Sequence, residues 1–427
     1  MRKLLSKSNC IYVFFYITFL ISFFFGEDSI GGSKIDFYQT TIETILSFKN
    51  GIKETLLNYA DTGARHSPIF FIASSIIFSE KNILIFRLLI LHINLVTVIY
   101  FYKCLKIKYP LVKNENIKIF SCLVFLLPTY RAYSIWPDSY NIGILFFVIS
   151  IFYYLKFKAF GKYKYSIFCV VFYVISSYFS PNFSVYSIFF VLDFLRDKNL
   201  KSSHKIYLIL LNILLSLPAL YYIFILKINF FHFAENVYGY EENVISLNNL
   251  SNKIIIIPSI ILIFFIPIIW NAPKYLNIKN KKISYFFILI IFTIYLTAIQ
   301  NFSYENVEKY IGGGGLIYKF SKIIFKNYYL LYFISFFASI FIVRFILEKK
   351  NYLLLYFLIY ASYPQLSIYY AYFDLLLYLI FFLLTDLVKN NFFNIKNVII
   401  INVYLFAFLL INLFKKELVT SLTSLTH

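Results

Sequence analysis

Apolar residues run through this chain in long blocks, and short polar segments separate the blocks instead of alternating with them residue by residue. A block of about 20 apolar residues is what a helix needs to cross a bilayer core. The pattern predicts helices over roughly 9–25, 83–104, 117–134, 139–157, 164–180, 183–195, 206–226, 254–272, 283–300, 326–346, 351–363, 370–388 and 398–414. That is about thirteen spans, with 183–195 and 351–363 the shortest. A further apolar stretch, 68–78, is too short to cross and reads as an interfacial or re-entrant helix. The expected fold class is all-α: a polytopic transmembrane helical protein forming a single integral-membrane domain over 1–427.

Charge placement sets the direction of threading. Lysine clusters at 103–118, 156–164, 196–205, 274–282 and 347–351 fall on one side if the N-terminus is cytoplasmic. The inside loops then hold about 25 Lys and Arg against roughly 5 acidic residues, while the outside segments hold about 15 of each, as the positive-inside rule requires. Counting 68–78 as a span would reverse every later loop, so parity favours thirteen spans over fourteen. Arg2, Lys3 and Lys7 followed by an apolar run have the form of a signal peptide. No small-residue cleavage site follows, which predicts an uncleaved anchor in a cytoplasmic (inner) membrane.

Composition agrees with a membrane chain: 60% hydrophobic, 22% aromatic and only 14% charged, with a mean hydropathy of +0.74. Soluble domains carry about 25% charged residues. The formal net charge of +20 does not point to nucleic acid, because the basic residues lie in short loops between apolar runs. The four cysteines are scattered without metal spacing, which argues against a disulfide framework or a zinc site.

The polar stretch after the first span, 26–67, carries Glu27, Asp28, Asp36, Glu43, Glu54 and Asp61 and closes on Arg65, His66 and Ser67. Apolar residues recur at helical spacing on either side of Gly51, so two short amphipathic helices are expected within the first outer loop, 26–82. Such helices would hold Asp36 and Tyr38 at the interface. A carboxylate there can act as general base toward a hydroxyl, or hold a divalent metal, Mg or Mn, that supports a leaving phosphate. The ordinary alternative for any one of these acids is a solvated loop residue. Asp138, at the start of the span 139–157, is either the helix N-cap, a second acid of the site, or both. Arg131, on the same outer edge, can bind a phosphate or snorkel to headgroups. Arg65 and His66 present the same choice, and His66 could orient an acceptor.

Asp36 beyond the first span, the amphipathic stretch, Gly51, Ser67-Pro68, Arg87-Leu88 and the unit from Leu127-Pro128 to Trp136-Pro137-Asp138 together resemble the GT-C integral-membrane glycosyltransferases. These include protein O-mannosyltransferases and lipid A aminoarabinose transferases. The resemblance covers about the first 160 residues; beyond them it rests on hydropathy alone. It departs from the family where Asp36 is followed by Phe37 rather than Glu, and where Ser67-Pro68 replaces Pro-Pro. It implies a polyprenyl-phosphate sugar donor, a glycan, lipid or protein acceptor, and catalysis on the extracytoplasmic face, with Asp36 and Asp138 as catalytic candidates.

Later in the chain, four glycines, Gly312 to Gly315, are flanked by Lys309 and Lys319. The run fits no nucleotide-binding motif. It reads either as a flexible loop or as a backbone surface for phosphate. Asp374 lies one turn inside a predicted span, where ionisable residues are costly. Two rival functions remain. A repeat-unit polymerase of O-antigen or capsule would be expected to place an arginine-rich loop late in the chain. A lipid-linked-saccharide flippase or transporter would be expected to show repeats or broken helices.

Overall fold

The computed structural model describes residues 7–62, 67–225, 234–237, 240–243, 246–269, 281–346, 350–363, 365–386 and 388–414. Apart from turns and short connections, these residues are helical except for one short antiparallel hairpin, β1 (Ala234–Val237) paired with β2 (Tyr240–Asn243). The hairpin falls in a segment expected to be a loop. Among the described residues, five helices are long and apolar enough to cross a membrane: Glu80–Lys108, Ser139–Phe160, Ser202–Ile225, Leu247–Ile269 and Ile395–Leu413. Six shorter apolar helices accompany them, Asn9–Phe24 and Tyr163–Phe179 among them.

The chain divides into two compact units. The first comprises 1–230 with 378–413, and the second 231–377 with 414–427. In the first unit, α1 (Lys7–Phe25) leads through α2 (Ser33–Asp36) and a π-helical turn, Phe37–Thr41, into α3 (Ile42–Asn50) and α4 (Ile52–Leu57). Gly51 separates α3 from α4 in an extended conformation, at the division the sequence pattern implied. The helix α5 (Ile69–Ile77) packs against α3. Next come α6 (Ile83–Lys108), α7 (Asn114–Ser121), α8 (Pro128–Ile135), α9 (Ser139–Phe160), α10 (Tyr163–Phe179), α11 (Ser187–Arg196) and α12 (Ser202–Leu220). The core of this unit is the packing of α9 between α6 and α10. Gly143 permits the close approach, since a Cβ there would stand 2.9 Å from Ser180 Cβ and 3.0 Å from the Phe183 ring.

Two expected continuous spans are interrupted. Over 117–134 the chain forms α7, a 3-10 stretch Cys122–Leu126, an extended Leu127 and then α8. Proline disfavours helical backbone at the residue before it and removes a helical donor, so Leu127-Pro128 ends one helix and starts the next. Over 370–388 the chain is likewise broken, into a 3-10 turn Tyr370–Tyr372, a short helix Asp374–Leu379 and a π turn Ile380–Leu384. Mean hydropathy sees neither break, because apolar residues predominate on both sides of each one. The expected span 183–195 begins as 3-10, Pro181–Tyr186, and continues as the ten-residue α11.

The second unit holds α13 (Leu247–Ile269), α14 (Lys281–Gln300), α15 (Tyr304–Ile311), α16 (Gly315–Phe325), α17 (Tyr329–Ile346) and α18 (Lys350–Ala361). Its centre is α13, which packs against α14, α16 and α17.

Candidate functional site

The cluster around Trp136 in the first unit begins with the way α1 stops. Gly26 takes φ +65°, the Gly26 N–H donates to Phe23 O at 3.1 Å, and the Glu27 N–H donates to Ser22 O at 3.0 Å. This is a Schellman ending, in which a left-handed glycine reverses the chain at low steric cost. The reversal lays Glu27 back toward α8. There Arg131 donates from Nε to Glu27 Oε1 at 2.8 Å and from Nη2 to Glu27 Oε2 at 2.5 Å. Arg131 also donates to Phe125 O at 2.8 Å and to Ser22 Oγ at 2.5 Å. The two side chains are 4% and 7% exposed. Burial by itself raises the Glu27 carboxyl, but hydrogen bonds and charge from Arg131, aided by Ser22 and Ser29, hold it below the ordinary value.

The rest of the loop is tied down as firmly. Asp28 Oδ1 accepts from the Gly31 N–H at 2.9 Å and from Ser33 Oγ at 2.6 Å. Ser29 Oγ donates to Pro128 O at 2.7 Å, and Trp136 Nε1 donates to Glu27 O at 2.9 Å. Phe37 and Tyr38 bring their rings to 5.8 and 5.7 Å from Trp136. On the same indole stand Arg87, with its Cζ 3.7 Å from the ring centroid, and Lys34, with its Nζ at 5.5 Å. Arg87 also lies 4.8 Å from the Phe23 ring and donates from Nε to Ile135 O at 2.9 Å.

The sequence-derived candidates sort clearly against this geometry. Asp36 is exposed at the end of α2, next to the two rings that meet Trp136, and Tyr38 is half-exposed above the indole. Asp138 caps α9: its Oδ1 accepts the Tyr140 N–H at 2.7 Å from an extended backbone. Both acids therefore belong to segments that converge on Trp136. Arg131 does not fit the expected role of open phosphate ligand, because its donors are taken by Glu27, Phe125 O and Ser22. Glu27 and Asp28, grouped with the solvated acids by their sequence, are instead the buried partner of Arg131 and the organiser of the turn. Glu43 and Glu54 are exposed. Arg65 and His66 lie outside the described residues. Arg87 and Trp136 stand in the sequence only as motif residues, and the one local signal of Arg87 is an isolated arginine heading an apolar run.

In the second unit the glycine run is neither a loose tether nor an open phosphate loop. Gly312 to Gly315 all take positive φ, between +76° and +91°. The Gly314 N–H donates to Ile368 O at 2.8 Å, and Tyr304 Oη bridges Gly312 O at 3.0 Å and the Ile368 N–H at 2.9 Å. A Cβ on Gly313 would stand 2.5 Å from Tyr304 Oη, and one on Gly314 2.3 Å from the Tyr318 ring. Lys309 and Lys319 are exposed. The charged network beside the run uses Lys322 instead, which donates to Glu308 Oε2 at 2.6 Å while Tyr318 Oη donates to the same oxygen at 3.0 Å. Burial would lower the Lys322 ammonium, yet Glu308, Tyr328 and Glu305 together raise it. Asp374 is 1% exposed, and its carboxylate accepts the Leu375 N–H.

Among the described residues, no three His, Cys, Asp or Glu side chains gather into a group that could hold a metal ion by themselves. Comparison with known proteins returns no match to any family model, curated protein or solved structure. By length and composition of its helices, the chain is of the helical membrane class.

Proposed function

We propose that this protein is an integral-membrane glycosyltransferase that moves a sugar from a polyprenyl-phosphate donor to a glycan, lipid or protein acceptor on the extracytoplasmic face of a cytoplasmic membrane. The supporting observation is the fold-back of 26–38 onto Trp136, which carries the exposed Asp36 and the segment leading to Asp138 into one cluster. In this reading the chain threads thirteen times with its N-terminus inside, and α2 to α5 lie along the outer interface. The Asp36 carboxylate takes the proton of an acceptor hydroxyl, and that oxygen attacks the anomeric carbon. The bond from the anomeric carbon to the phosphate oxygen breaks, and polyprenyl phosphate leaves with the electron pair, inverting the sugar. Asp138 keeps the start of α9 in place and adds negative charge beside the reaction.

The test is transfer from a labelled polyprenyl-phosphate sugar in proteoliposomes, comparing wild type with Asp36→Asn and Asp138→Asn. A missing general base lowers the rate by about 10²–10⁴-fold. Asparagine caps a helix about as well as aspartate, so loss of transfer in Asp138→Asn reports on the carboxylate rather than on the fold. Unchanged transfer in both variants removes the assigned site. The broken segments at 114–135 and 370–384 support a second reading, a lipid-linked-saccharide flippase, since interrupted helices are a transporter device. Movement of labelled lipid across the bilayer without transfer would select that reading.

A further inference from the structure

Arg87 is 8% exposed, and its Nη2 is buried with no hydrogen-bond partner. Its guanidinium donates to the Ile135 carbonyl, lies on the faces of Phe23 and Trp136, and has Tyr38 near enough to interact with its charge. A guanidinium withdrawn from water needs a counter-charge. Aromatic faces and one carbonyl supply only part of it, and a cation–π contact contributes about 0.5–2 kcal/mol. The other buried arginine of the same cluster, Arg131, has its carboxylate in Glu27. Arg87 makes no ion pair among the described residues. Lys34 adds a second cation on the same indole and makes no ion pair among the described residues; its backbone N–H, not its ammonium, is what Asp28 holds at 3.3 Å. Ionisable groups left unbalanced at membrane depth mark ligand paths.

We infer that Arg87, held on the rings of Trp136 and Phe23, and Lys34, over the Trp136 ring, form a subsite for the phosphate of a lipid-borne anion, entered past the half-exposed Tyr38. This rests on the transferase reading only for the identity of the lipid; the unbalanced cation stands without it. The guanidinium takes phosphate oxygens through Nη1 and Nη2, and Lys34 closes over them from the exposed side. It moves the phosphate-binding role from Arg131 to Arg87.

The chain has two tryptophans, Trp136 and Trp270, so Trp270→Phe leaves the indole of the subsite as the only such reporter. The probes are undecaprenyl phosphate, undecaprenol, and vesicles of phosphatidic acid or phosphatidylcholine, added to purified Trp270→Phe protein in detergent. The expected result is a saturable change in Trp136 emission with undecaprenyl phosphate and none with undecaprenol. Arg87→Met should weaken the apparent affinity by at least about tenfold, and Arg87→Lys by less. Lys34→Gln, at an exposed position that does not threaten folding, should weaken it severalfold. An equal response to phosphatidic acid assigns the subsite to lipid phosphate in general, and a selective response assigns it to the polyprenyl donor. Binding that is unchanged in Arg87→Lys and Lys34→Gln, or equal for the phosphate and the alcohol, overturns the inference. Phosphate binding without sugar transfer keeps the subsite and removes the transferase. Transfer that survives in a folded Arg87→Met protein does the reverse.

Discussion

Replacing Glu27 by alanine should damage the first unit more than any surface substitution in the loop. The change leaves Arg131, 4% exposed, without its carboxylate while the hydrogen bonds to Phe125 O and Ser22 Oγ remain. Removing one member of a buried pair costs about 3–5 kcal/mol, because the other charge stays buried and unbalanced. The tie from Trp136 Nε1 to the Glu27 carbonyl is a backbone contact and survives the substitution. The loss therefore isolates the ion pair. At about 2–4 °C of midpoint per kcal/mol for a large domain, the expected fall is roughly 6–20 °C. The assay is thermal unfolding in a fixed detergent, with the rate of inactivation measured in parallel because membrane proteins unfold irreversibly. The double variant Glu27→Gln with Arg131→Met should recover much of the loss, since it buries no charge. The pair also sets an acid limit. The Glu27 carboxyl lies below its ordinary value in the folded chain, so its contribution is complete above about pH 4.5 and is lost as pH falls through the depressed value. In Glu27→Gln that acid-dependent loss should be absent. A Glu27→Ala protein within 1 °C of wild type, as judged against the expected ~6 °C minimum, would refute the account.

The glycine run gives a second test in the other unit: Gly313→Ala and Gly314→Ala should each cost more than about 2 kcal/mol, combining left-handed backbone strain with the collisions at Tyr304 and Tyr318. Wild-type thermal stability in both would show that the run is not packed. Gly161→Ala, at φ +65° with open space around it at the end of α9, should cost only the backbone term of about 1–2 kcal/mol, read by the same thermal assay. Sidedness follows from two exposed lysines: Lys309→Cys should react with an impermeant maleimide in intact cells, and Lys201→Cys only after permeabilisation. Equal labelling of both would remove the thirteen-span threading.

Much of the local structure was legible because it depends on residues within a turn or two. Gly51 divides α3 from α4, Asp138 caps α9, and the apolar blocks mark where the long helices run. The break at Leu127-Pro128 was written in the proline, yet the hydrophobic average passed over it. The acids of the first loop were harder, since a carboxylate in a polar segment looks the same whether it is solvated, paired or catalytic.

Sequence alone determined that this chain is helical, with apolar runs fit to cross a membrane and an acidic segment after the first of those runs. Burial of apolar surface and backbone self-satisfaction in lipid depend only on runs of residue type. The tertiary structure decided which charges meet. Glu27 finds Arg131 across 104 positions because Gly26 reverses the chain onto α8. Arg87 reaches the Ile135 carbonyl across 48 positions because α6 packs beside α8. These pairings depend on the approach of separate helices, which no local pattern encodes, and they leave Arg87 rather than Arg131 as the arginine without a carboxylate partner among the described residues.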